Sequence, residues 1–98
     1  MAVQMTIELT KPEAAQTVLR ALDQYKMQLR TGIKRTQRKL DKFERQYQVT
    51  TAHFLVDMTA EDLPGGDLEY VEWAGEAKLL YGLQAELEEL ERANYQLP

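Results

Sequence analysis

Apolar and polar side chains alternate only once along this chain, where Val3, Met5, Ile7 and Leu9 are separated by Gln4, Thr6 and Glu8. A period of two predicts a half-buried β-strand over residues 3–9. A lone strand leaves its backbone donors and acceptors unpaired, so this one requires an edge from a second copy or from another protein. Val3, Met5, Ile7 and Leu9 are therefore candidate partner-binding residues.

From residue 11 the period lengthens. Val18, Leu22, Tyr25, Leu29, Ile33, Thr36, Leu40, Phe43 and Tyr47 recur at intervals of three and four, which predicts a long helix over 11–47 with one apolar seam. Thr10 and Glu13 have capping-box spacing, and Pro12 falls in the first turn, where its missing N–H is not needed. At about 1.5 Å per residue such a helix is on the order of 50 Å long, too long for a compact monomer. Gly32 interrupts it at a nominal cost of about 1 kcal/mol relative to Ala, which points to a bend or a close contact.

A short helical connector is expected over residues 50–63. Thr50 stands as its N-cap, Val49 and Phe54 are spaced as a hydrophobic staple, and the "TAED" that follows repeats a capping pattern. Pro64, Gly65 and Gly66 then break the backbone, and Asp67 is placed to cap a second long helix over 67–94. Leu68, Val71, Trp73, Leu80, Leu83, Leu87 and Leu90 carry that helix, and the closing "NYQLP" is expected to fray. Gly75 and Gly82, with Leu79 between them, predict the close approach of another element. The fold expected is a single mainly α domain over residues 1–98, a coiled-coil-like antiparallel hairpin with a short connecting helix and one N-terminal strand.

Two long helices with apolar seams leave no layer to close a core, so the chain is expected to self-associate at micromolar concentration. The candidate interface residues are Leu22, Leu29, Leu40 and Phe43 on the first helix, with Trp73, Gly75, Leu79, Leu80, Gly82, Leu83 and Leu87 on the second.

Charge divides the chain more sharply than its net value of −4 indicates. Residues 24–47 hold eight basic side chains against two acidic, and residues 57–98 hold eleven acidic against two basic. Opposite arms of a hairpin would attract each other on this pattern. Arg30, Lys34, Arg35, Arg38 and Lys42 also make a basic side that could follow phosphates, so nucleic-acid binding stands as the alternative function. Pairing with the acidic helix is the plainer expectation, because the whole chain is acidic and the basic stretch lacks interleaved aromatics for base stacking.

Candidate chemistry is sparse. The chain has no cysteine and no serine, and His53 is its single histidine. A triad built on serine or cysteine is excluded, as is a disulfide framework. Residues 61–76 concentrate six carboxylates around the Gly-Gly turn, but their spacing does not fit a calcium loop, and Glu69 and Glu72 suit the positive end of a helix dipole. No glycine-rich loop follows a strand and opens a helix. The expectation is a non-enzyme with no cofactor and no metal. The longest apolar run, Phe54 to Val56, is too short for a membrane span or signal core, so a soluble cytoplasmic protein is expected.

The segments "KFERQYQVTTAHFL" and "GGDLEYVEWAGEAKLLYGL" resemble a group of small prokaryotic proteins, cyanobacterial and archaeal, found as the antitoxin-like members of toxin-antitoxin gene pairs. Tyr47, Phe54, Gly66, Asp67, Glu72 and Trp73 carry the resemblance, which covers roughly the last sixty residues. It implies a protein that neutralises a toxin partner by binding it, and it carries over no catalytic residue. A purely structural homo-oligomeric coiled coil is the third function weighed.

Overall fold

The computed structural model describes residues 1–95. Three α-helices are joined in the order α1 (Ala14–Tyr47), α2 (Thr51–Asp57) and α3 (Gly66–Arg92), with a single 3-10 turn at Ala60–Asp62 between the last two. α1 and α3 pack along each other as an antiparallel hairpin, and α2 closes one end. The molecule measures 59 × 27 × 18 Å, with a radius of gyration of 19.1 Å. A compact chain of this length would have about 13 Å. The elongation follows from α1, whose 34 residues form one uninterrupted helix.

The seam read from the sequence of α1 faces α3. Leu29, Thr36, Leu40 and Phe43 are buried on it, with Leu22, Ile33 and Tyr47 half-buried alongside. Thr36 is tolerated there because its hydroxyl donates to the carbonyl of Gly32 at 2.8 Å, one turn back. Gly32 meets the expected close contact, since a Cβ at this position would stand 3.2 Å from Leu83 Cδ1 across the hairpin.

Trp73 is the centre of the core, at 0 % exposure. Its indole stacks on Phe54 with ring centroids 3.9 Å apart and planes 2° from parallel, on Phe43 at 5.2 Å and on Tyr47 at 5.5 Å. A buried indole N–H needs an acceptor, and Thr51 Oγ1 supplies it at 3.0 Å. The backbone N–H of Thr51 in turn donates to Glu44 Oε2 at 2.7 Å, which fastens α2 to the last turns of α1. Leu63, Ala77 and Leu80 complete this cluster.

Helix ends agree with the sequence in the connector and differ elsewhere. Thr50 caps α2 by accepting from the His53 backbone N–H at 3.1 Å, and Thr59 with Asp62 forms a capping box around the 3-10 turn. At α1 the helix begins at Ala14, later than the expected residue 11, and its N-cap Glu13 makes no side-chain cap, so the Thr10–Glu13 box does not form. At α3 the N-cap is Gly65 and Asp67 lies inside the first turn. Glu69 does the capping work there, reaching back to accept from the Gly65 N–H at 3.1 Å. Gly66 has φ +65°, a conformation that favours glycine.

The strand expected over residues 3–9 is absent. No strand occurs among the described residues, and the backbone of residues 1–9 makes no hydrogen bond within them. The physical reason is the one the isolated pattern already contained: every other regular element is a helix that satisfies its own backbone, so the chain offers no sheet edge. α3 ends at Arg92, short of the expected residue 94. The fraying expected of "NYQLP" falls in part on residues 96–98, which lie outside the described residues.

Candidate functional site

Three surfaces remain once the core is assigned, and each belongs to a different segment. The first is the N-terminal arm, in which Val3, Met5, Ile7 and Leu9 are all exposed, Val3 at 89 %. These side chains alternate with polar ones but touch no sheet, so the arm carries an apolar row and a free ladder of backbone groups together.

The second surface is the outer side of α1. Lys34, Arg35, Arg38 and Lys42 are exposed, and none lies in an ion pair among the described residues. The expected pairing with the acidic helix is made by other cations: Arg30 meets Glu91 at 3.2 Å and Lys39 meets Glu76 at 3.0 Å. Arg30 thereby leaves the basic row, whereas the other four face away from α3 as a band of uncompensated positive charge. Exposed pairs such as Arg30–Glu91 contribute only about 0–1 kcal/mol, so they orient the arms more than they hold them.

The third surface is the outer side of α3. Leu68, Val71 and Leu79 were expected on or beside the seam, yet they are 84 %, 66 % and 47 % exposed. Only Trp73, Ala77 and Leu80 are buried on α3, with Leu83 and Leu87 half-buried toward the far end. The distinction lies in the helical angle: positions 68, 71, 75, 79 and 82 advance by three, four, four and three residues and fall on the side opposite 73, 77 and 80. Gly75 and Gly82 belong to this outer stripe, where a Cβ would meet nothing within 4 Å. No element among the described residues approaches them. Of the seam leucines, Leu29, Leu40 and Leu80 are buried in the hairpin, and Leu22, Leu83 and Leu87 are half-buried.

Concave chemistry is slight. The hollow lined by Asp41, Glu44, Arg45, Gln48, Val49 and Thr50 lies at the C-terminal end of α1 and is open to solvent, and its Glu44 is engaged on Thr51. His53 is exposed and its Nδ1 lies 3.1 Å from Asp57 Oδ2, one turn along α2. Among the described residues no three histidine, aspartate or glutamate side chains come together to hold a metal ion. No described helix is long and apolar enough to cross a membrane. The phenol of Tyr25 donates to Glu86 Oε1 across the hairpin; that hydrogen bond, then desolvation and the carboxylate charge, raise its pKa above the ordinary tyrosine value. Compared with known proteins, the chain matches no family model, no curated protein and no solved structure.

Proposed function

We propose that this chain is a non-enzymatic protein-binding module that acts in the manner of an antitoxin, capturing a partner protein through its N-terminal arm. The observation that carries the reading is the arm itself: four apolar side chains in period two, exposed, on a backbone with no hydrogen-bond partner among the described residues. A segment of this kind adds to the edge of a partner's sheet, where main-chain bonds give affinity and alternate side chains give specificity. The rest of the chain is a scaffold whose aromatic core needs nothing from the arm.

The test is co-expression with the product of the reading frame adjoining its gene. The intact chain should bind that protein and relieve its toxicity. A chain lacking residues 1–9 should keep its helical circular dichroism and lose binding, and Ile7→Pro should do the same by removing a ladder donor. Unchanged binding by either variant would refute capture by the arm.

A second reading has its own observation. Lys34, Arg35, Arg38 and Lys42 face solvent and have no carboxylate partner among the described residues, so the basic side of α1 is open to phosphates. Binding to duplex DNA or RNA through these four would weaken steeply with salt, with a log–log slope of roughly −3 to −4. Retention on a nucleic acid that is indifferent to salt, or no retention at low salt, counts against this reading.

A further inference from the structure

The outer stripe of α3 is symmetric about one residue. Leu68 and Gly82 lie seven positions either side of Gly75, and Val71 and Leu79 lie four either side. We infer that this stripe is the interface of an antiparallel dimer of the chain, α3 against α3 of a second copy, with the two-fold axis passing beside Gly75. The inference is independent of the arm and of the partner proposed above.

Size complementarity selects the antiparallel arrangement. With the axis at Gly75, Leu68 of each copy falls level with Gly82 of the other, so a large side chain meets a hollow at both ends. Val71 falls level with Leu79 and fills the intervening layer, and the two Gly75 residues let the helix backbones approach on the axis. A parallel pair would instead set Leu68 against Leu68 and Gly82 against Gly82, forcing the helices apart at one end and leaving a void at the other. An isologous contact of this kind closes on itself and stops at two copies.

Charge points the same way. Lys78 is the one cation between residues 57 and 91, and it has no ion pair among the described residues. It shares a flank of the stripe with Asp67, which is also unpaired and exposed. In the antiparallel register the two lie within roughly 8 Å of each other along the helix axis, at about 1.5 Å per residue, so the lysine of one copy can reach the aspartate of the other.

The stripe spans on the order of 20 Å of helix, and a helix pair of that length buries on the order of half the roughly 800 Å² per partner of a standard interface. A contact of that size lies at the small, transient end of specific interfaces, so the dimer is a reversible one. It would form a flat row of four helices, with each α1 on the outside and its basic side free.

The chain has no cysteine, so single substitutions report register directly. On the axis, helices about 8 Å apart bring the two Gly75 Cα atoms within the roughly 4 to 7 Å that a disulfide spans. Under mild oxidation, full-length Gly75→Cys should link to itself. Leu68→Cys alone should not, but Leu68→Cys mixed with Gly82→Cys should give the heterologous link. Sedimentation equilibrium from about 1 to about 100 µM should show monomer–dimer exchange in the natural chain. Gly75→Leu, whose new side chain meets open space within its own chain, should keep its circular dichroism and dimerise at least roughly tenfold more weakly. A natural chain that stays monomeric at about 100 µM overturns the proposal. So does self-linking of Leu68→Cys as fast as that of Gly75→Cys, or a Gly75→Leu chain that dimerises as before.

Discussion

The two ends of the hairpin are built on different principles. At the closed end three helices meet, and Trp73 lies stacked among Phe43, Tyr47 and Phe54 with its N–H bonded to Thr51. At the open end only α1 and α3 face each other. Leu22, Leu83, Leu87 and Leu90 are all half-buried there, and the rim is bridged by Tyr25–Glu86, Arg30–Glu91 and Lys26 set over the ring of Tyr95 at 5.3 Å. A third layer makes the difference, because a helix pair covers only one side of each seam while α2 and Leu63 cover the aromatic cluster from outside. Cooperative stability is therefore concentrated at the closed end, and the open end, from which the N-terminal arm departs, opens locally at lower cost.

The strongest way to break that comparison is Trp73→Ala. It removes the side chain on which three other rings pack and should destabilise the fold by about 3–5 kcal/mol, enough to unfold a domain of this size under ordinary conditions. Thermal melting monitored at 222 nm measures it. A variant that melts near the natural temperature would mean that the aromatic cluster is not the core. Next in size is Thr51→Val, which keeps the shape and leaves the indole N–H buried without an acceptor, at a cost of about 1–3 kcal/mol. Tyr47→Phe has the opposite sign. The Tyr47 hydroxyl is buried with no partner among the described residues, so its removal should stabilise the chain by about 1 kcal/mol. Urea midpoints of the two variants, one lower and one higher than the natural chain's, separate a satisfied hydroxyl from an orphaned one within the same cluster.

The same contrast decides what could be read from the sequence. α1 was legible because it has one apolar side: Leu29, Leu40 and Phe43 recur without rivals, and all three are buried. α3 was not, because it has two. Leu68, Val71 and Leu79 are as apolar as Leu80 and Leu83, and only the neighbouring elements decide which row turns inward. Trp73 was legible as an apolar position of the second helix, whereas Ala77 and Thr51 were not singled out. The demand of a buried indole for an acceptor is the signal that could have found Thr51. The basic row was visible as composition, but its division into paired Arg30 and Lys39 and unpaired Lys34, Arg35, Arg38 and Lys42 depends on which side of α1 each residue occupies. In the arm, period two specified which side chains belong together and could not specify an edge for them.

At the open half a smaller effect sharpens the comparison. Gly32 and Leu83 are in contact across the hairpin, and a methyl group at position 32 would crowd the end of the leucine. Gly32→Ala alone should therefore gain less than the roughly 1 kcal/mol that helix propensity offers. In a Leu83→Ala background the crowding is gone and the same change should recover that gain in full. A double-mutant cycle on urea midpoints tests the coupling, and simple additivity would show that the two residues do not constrain each other.

The smallest expected effect is the one most specific to the open end. Tyr25 donates to Glu86 only while its phenol is protonated, and the raised pKa means that the folded state holds the proton more tightly than the unfolded chain does. The contribution is therefore fully present below the ordinary tyrosine pKa of about 10 and is lost as pH rises through the higher folded value. Above that value the phenolate would face the Glu86 carboxylate, and like charges at the rim should part the two helices there before the aromatic end responds. Tyr25→Phe removes both the bond and its alkaline sensitivity. Amide exchange of residues 22–30 and 83–91, followed from pH 8 to about pH 11 and corrected for intrinsic rates, should show loss of protection in the natural chain beyond that of the phenylalanine variant. Protection around Trp73 should stay equal in the two. Equal loss at both ends would mean that the hairpin opens as one unit and that its ends do not differ in stability.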